Sequence, residues 1–249
     1  LAKASMTLDD IDGLAVTSGP GLVGSLLVGV STVKAIALAR GIPMIGVHHI
    51  EGHIYSNFID EPYPPFPAVV LVVSGGHTEL VLMEEPLRYT VLGRTRDDAA
   101  GEAFDKVAKL LGLGYPGGPA VQRAAEGRDD MFVEFPVSRV PDFEFSFSGL
   151  KTAVLVHVTE RGEEYTRAHL GDILASFQRA VVDALAIKTL AALDRYGIRT
   201  LLLAGGVPAN RALRERLALE AKRGGFPLFA PPLNYCTDNA AMIAKAGHE

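Results

Sequence analysis

The sequence predicts an α/β fold, and three observations carry that prediction. Short apolar runs closed by glycine turns alternate with longer stretches patterned for helices, as expected where helices cover a sheet. Of the 249 residues, 48% are hydrophobic, enough to bury a sizeable core in one or two domains. One proline-dense segment, "EPYPPFP" at 61–67, offers a natural boundary between two parts.

Taken in order, "LAKASMTLDD" reads as the tail of a helix leading into "IDGLAVTSG" (11–19), a buried strand closed by a Gly-Pro-Gly turn. Residues 22–41 keep small and apolar side chains together and end at a glycine, which suits a helix packed closely on a sheet. "PMIGV" is a second strand, leading directly into "HHIEGH". Beyond the prolines, residues 68–85 read as a hairpin turning at Gly75-Gly76. Residues 97–114 form a helix with acids at its start and Lys109 near its end, matching the helix dipole. "YPGGP" (115–119) is a rigid turn, and "SRVPDFEFSFSGLKTA" is a loop with phenylalanines alternating at Phe143, Phe145 and Phe147. Residues 170–197 make a long amphipathic helix, "TLLLAGG" (200–206) a buried strand, and "ANRALRERLALEAKRGG" a helix closed by two glycines. "CTDNAAMIAKAG" opens a last helix with Asp238 at its cap.

Charge and composition exclude several classes. A net charge of −5 argues against coating nucleic acid by bulk charge. A lone cysteine, Cys236, excludes an internal disulfide framework and suits a reducing compartment. No run of eighteen apolar residues lacks charges or glycines, and the N-terminus lacks a signal peptide's basic start and apolar centre, so a cytoplasmic protein without a membrane span is expected.

The histidine stretch carries the first chemical signal. His49 and His53 stand four apart, so on a helix they share a face and can hold one metal ion; equally, they can simply hydrogen-bond. In the protease pattern H-E-x-x-H the glutamate follows the first histidine directly. Here Glu51 lies two positions on, roughly 200° around the helix, and the protease geometry fails. Asp238 could supply a third ligand or be an ordinary capping aspartate, and Cys236 could be a fourth ligand or a buried structural thiol. Two glycine turns after buried strands, in "VVSGGHT" and "LAGGVPANR", expose backbone N–H groups where a phosphate can approach closely.

Seven blocks, "GPGLVGSLLVG", "VHHIEGH", "VSGGHTEL", "DDAAGEAFDKVAKLLGLGYPGGP", "FSFSGLKT", "GGVPANRALR" and "CTDNAAMIA", together resemble the tRNA N6-adenosine threonylcarbamoyltransferase family, whose older name was glycoprotease. The resemblance covers nearly the whole chain, in the family's order. It implies an actin, sugar kinase and Hsp70-like fold, two RNase H-like lobes around a nucleotide cleft, with the first lobe incomplete because the chain is expected to be truncated at both ends. The expected division is 1–60 for the first lobe, 61–238 for the second, and 239–249 for a helix returning to the first.

The same resemblance implies site residues. His49, His53 and Asp238 would ligate one divalent ion, iron first and zinc second. Val72, Val73, Ser74, Gly75 and Gly76 would cradle the adenylate's phosphate, Asp105 would bind the ribose, Gly118 would line the pocket, and Asn210 would contact the adenosine. Gln122 stands where many relatives carry an acid. The implied reaction moves a threonylcarbamoyl group from threonylcarbamoyl-AMP to the N6 amine of the adenosine beside a tRNA anticodon, and AMP leaves. No residue stands out as a general base. The implied partners are tRNA, a metal-free paralogous subunit and a small ATPase. Arg211, Arg214, Arg216, Lys222 and Arg223 could meet tRNA phosphates or form a solvated helix face. Two rival readings are a metallopeptidase and a non-catalytic scaffold.

Overall fold

The computed structural model describes residues 2–60, 62–138 and 140–249, with the backbone alone of Ala2. Glu61, the first residue of the expected hinge, lies outside the described residues. In chain order the principal elements are β1 (Leu14–Gly19), α1 (Val23–Arg40), β2 (Met44–His48), α2 (His49–Tyr55), β3 (Ala68–Val73), β4 (Thr78–Glu85) and β5 (Arg88–Arg94). There follow α3 (Ala100–Leu110), α4 (Gly117–Ala125), α5 (Ser148–Arg161), α6 (Glu163–Ala168) and α7 (Leu170–Tyr196). The chain closes with β6 (Leu201–Ala204), α8 (Arg211–Gly224), β7 (Leu228–Phe229), α9 (Leu233–Cys236) and α10 (Ala240–His248).

Two compact units result: Leu1–Tyr63 with Pro231–Glu249, and Pro64–Ala230. The sequence placed the second crossing at 238/239. In the structure the chain turns back earlier, at the Pro231-Pro232 pair, so Asp238 belongs to the same unit as the two histidines. Proline ends β7's extension because it cannot donate to a ladder.

In the first unit β1 and β2 run parallel, Leu14 opposite Met44 through Thr17 opposite Val47. Parallel strands need a crossover, and α1 is that crossover, packed against both. By length and composition alone α1 could cross a membrane, and Leu22, Val23, Leu27, Val28 and Leu38 are exposed on or beside it. Its place between two paired strands gives it a role within an α/β unit, although the sequence held no segment to be a candidate span. α10 packs on β1, β2 and α2.

The second unit is built on a five-stranded sheet in the order β5-β4-β3-β6-β7. β3 and β4 are antiparallel, Ala68 opposite Met83 through Val73 opposite Thr78, while β3 and β6 run parallel. Every residue of β3 and β6 is fully buried, which explains their unbroken apolar sequences: both faces are covered. α7 buries its apolar stripe, and Phe104 of α3 meets Phe177 edge-on at 5.3 Å between ring centroids.

Local expectations were corrected in four places. β5 continues the hairpin into a three-stranded antiparallel ribbon. The "YPGGP" segment is a rigid turn only as far as Pro116; from Gly117 it winds into α4. "SGLKTA" is the start of α5, and the three alternating phenylalanines before and at its cap are buried, with Phe145 bridging to Thr95 of the chain leaving β5. α3 starts at Ala100, after the two aspartates meant to open it. Asp98 instead accepts from Lys106 at 2.6 Å, and Asp97 accepts from Ser146, Phe147 and Ser148.

Candidate functional site

α2 begins where β2 ends, so the strand fixes the direction in which the helix sets out. His49 opens the helix and His53 follows one turn later, their rings 4.7 Å apart and nearly perpendicular. His53 is buried and His49 partly so. Asp238 reaches them from the segment leading into α10, with one carboxylate oxygen 3.5 Å from His49 Nε2 and 3.3 Å from His53 Nε2. An ion with tetrahedral bonds of about 2.0–2.1 Å separates its ligand atoms by roughly 3.3–3.4 Å. Both histidine-to-carboxylate distances match that spacing, and all three ligand atoms lie within 4.8 Å of one another, so two imidazoles and one carboxylate converge with the donor chemistry of a divalent-ion site. Asp238 is 80% exposed, which leaves that side open.

Asp238 does not cap α10, as the sequence had suggested. Asn239 does: its side-chain oxygen accepts from Met242 N–H, and its amide nitrogen donates to the Tyr235 and Thr237 carbonyls. That arrangement frees the Asp238 carboxylate to face the histidines. Among the described residues the group holds His49, His53 and Asp238 without Cys236 or Glu51. The thiol is buried against the Pro231 and Pro232 carbonyls, which fits its structural reading. Glu51 follows Ile50 and not His49, so the H-E-x-x-H order that gives a metallopeptidase its general base is not present in α2.

The glycine loops lie in the second unit. Ser74 to His77 close a tight turn between β3 and β4: Ser74 N–H donates to the His77 carbonyl, and Ser74 Oγ accepts from His77 N–H. A Cβ on Gly75 or Gly76 would meet only open space. Two other glycines press the neighbouring elements onto this turn. A Cβ on Gly101 would lie 2.5 Å from the Ser74 carbonyl oxygen, and one on Gly205, whose φ is +97°, 2.3 Å from that of Val73. Both glycine turns thus sit together at the same ends of β3 and β6. Thr78 Oγ1, one strand over, accepts from Ala100 N–H and begins α3 where Ala99 cannot.

The remaining predicted residues are placed as follows. One oxygen of Asp105 accepts from Gly117 N–H at 2.7 Å and starts α4, leaving the other for a ligand. Gly118 is open at its Cβ position. Asn210 caps α8, its oxygen accepting from Leu213 N–H, while its amide nitrogen donates to Gln178 of α7 at 2.8 Å. Gln122 accepts from Arg211 N–H. A cavity of about 380 Å³ opens here, and its lining includes Gln122, Glu126, Gln178 and Arg211. Gln178 was invisible to sequence reasoning, because a glutamine within an amphipathic helix carries no signal of its partner.

Arg211, Arg216 and Arg223 of α8 pair with carboxylates, while Arg214 donates to the Pro208 carbonyl. Arg211 pairs with Glu215 and Glu126, Arg216 with Asp183 and Glu220, and Arg223 with Glu220. This supports the solvated-face reading over a phosphate-binding row.

A family model for tRNA N6-adenosine threonylcarbamoyltransferase matches residues 1–245. The chain belongs to this family. Curated tRNA N6-adenosine threonylcarbamoyltransferases agree over the whole chain: 51% identity to that of Caldicellulosiruptor saccharolyticus, covering 100% of this chain and 74% of that protein. That of Symbiobacterium thermophilum is 53% identical, covering 100% of this chain and 73% of its own length. Among solved structures, HypF in its phosphate- and nucleotide-bound form superposes over 96% of this chain and 46% of its own, with 15% identity and a TM-score of 0.70. The activator of 2-hydroxyisocaproyl-CoA dehydratase from Clostridium difficile covers 93% and 83%, with 16% identity and a TM-score of 0.50. At such identities the likeness is one of fold, and the fold is of the actin, sugar kinase and Hsp70 type.

Proposed function

We propose that this chain carries out its family's reaction, transfer of a threonylcarbamoyl group to the N6 amine of an adenosine in tRNA, with a divalent ion held by His49, His53 and Asp238. The convergence of those three side chains at ion-ligand spacing is the observation that carries this reading. Bound there, such an ion supplies Lewis-acid polarisation of a carbonyl or phosphoryl oxygen. Three protein ligands and one open side leave room for substrate oxygens. Iron is the first candidate and zinc the second.

The glycine turns are the proposed phosphate cradle. Val72 and Val73 end a buried strand, Ser74 N–H closes the turn on the His77 carbonyl, and Gly75 and Gly76 offer backbone N–H groups without side-chain obstruction. The free oxygen of Asp105 can accept from a ribose hydroxyl, the open surface at Gly118 admits the nucleoside, and Asn210 Nδ2 retains one N–H for a base. The substrate held this way is threonylcarbamoyl-AMP. The adenosine N6 attacks the carbamoyl carbon, a C–N bond forms, the bond to the phosphate oxygen breaks, and AMP departs while the amine loses a proton. Holding both reactants near attack distance supplies much of the acceleration.

Because the chain is acidic and Arg211, Arg216 and Arg223 of α8 are paired with acids, tRNA capture falls to partner proteins, a metal-free paralogue and a small ATPase, in the cytoplasm. The test is reconstitution with those partners, threonine, bicarbonate, ATP and tRNA. His49→Ala should abolish modified adenosine while leaving the protein folded; full activity in that variant would remove the ion from the reaction.

A further inference from the structure

Within α2, Gly52 lies between the two histidines and faces α10. A Cβ built on Gly52 would sit 2.6 Å from Ile243 Cδ1, with the next atoms, Met242 Cγ and Ile243 Cγ1, at 3.5 and 3.8 Å. Carbon atoms rest at about 3.5–4.0 Å, so even one methyl group would demand about an ångström of displacement. Ile243 is 7% exposed, so although its Cδ1 methyl turns about χ2, the close packing around it leaves little room to swing aside. α10 cannot move without carrying the third ligand, because Asn239 ties Met242 N–H to the residue next to Asp238. The two helices also pack along their length.

We infer that Gly52 is a positioning residue of the ion site: its missing side chain lets α10 come close enough to bring Asp238 within 3.5 Å of both histidines. This rests on the metal reading of those three residues. Intrinsic helix propensity works in the opposite direction, since alanine favours a helix over glycine. A loss of ion affinity on Gly52→Ala therefore reports the inter-helix contact and not a weakened α2.

The test is titration of the apo protein with Zn2+ and, under anaerobic conditions, Fe2+, read by calorimetry. Gly52→Ala should weaken binding at least tenfold. Ile243→Val removes the very atom the new methyl would strike, so Gly52→Ala/Ile243→Val should recover to within about threefold of the natural protein. Ile243→Val alone should bind as the natural protein does. An unchanged affinity in Gly52→Ala overturns the inference, and so does a double variant as weak as the single one. If Gly52→Ala proves insoluble, recovery of a folded, ion-binding double variant supports the inference, and a folded double variant without affinity overturns it. Failure of the natural protein to bind either ion, or binding indifferent to His49→Ala, sinks the metal reading and this inference with it.

Discussion

His53 is almost wholly buried while Asp238 is largely exposed, and that asymmetry sets what each contributes. A buried imidazole is held in place before the ion arrives, whereas an exposed carboxylate adds charge at low ordering cost in the protein. His53→Ala should reduce ion content below detection by elemental analysis. Asp238→Asn keeps size and one oxygen acceptor but loses the charge, so it should weaken binding by at least tenfold without lowering the melting temperature of the apo protein. Asn210 serves two tasks at once. Its oxygen caps α8 and its nitrogen reaches Gln178, so Asn210→Ala should cost roughly 0.5–2 kcal/mol from the cap alone, measured by denaturant unfolding. Adenine-nucleotide affinity should fall in the same variant.

At the scale of elements, α5 is anchored at both ends by titratable groups. Burial works to raise the Asp97 carboxyl, but hydrogen bonds from Ser146, Phe147 and Ser148 outweigh it and hold the group below its ordinary value. Its contribution is present at neutral pH and lost as pH falls through that lowered value. Hydrogen-exchange protection of Phe147 and Ser148 N–H should therefore collapse only in strong acid, and be absent at all pH values in Asp97→Ala. Near the other end, burial first, and then Arg161, lower His157, with Glu160 opposing. The folded state keeps this ring neutral, so stability is full above about 6.5, the ordinary value, and declines as pH falls below it. His157 packs edge-on against Phe135 and Tyr165, so His157→Phe should flatten that part of the acid slope in thermal melts. None of this was legible in "SRVPDFEFSFSGLKTA". The aspartate that fixes the loop lies about fifty residues upstream, and its sequence neighbourhood reads as a helix start. α4 was hidden similarly: glycines and prolines suggest a turn, while Asp105, from another helix, supplies the acceptor that begins it.

At the scale of the whole molecule, the chain makes two units of different construction. Pro64–Ala230 is continuous and carries its own five-stranded core, so a fragment of those residues should fold alone, with a single cooperative melt and adenine-nucleotide affinity, checked by calorimetry. The first unit is discontinuous: α10, from the far end of the chain, packs on β1, β2 and α2. Residues 2–60 by themselves should lack stable structure by circular dichroism. The sequence by itself determined the strands β1, β3 and β6, the helices α1 and α7 with their terminal glycines, the two glycine turns, and the placing of two histidines on one helical face. These are local periodicities and stop signals, and they act over a few residues. Tertiary structure alone decided that Asp238 and not its neighbour faces those histidines, that Gln178 holds Asn210, and that Gly52 meets Ile243. Each of those pairings depends on how two distant elements pack, and side-chain chemistry at either position does not specify its partner.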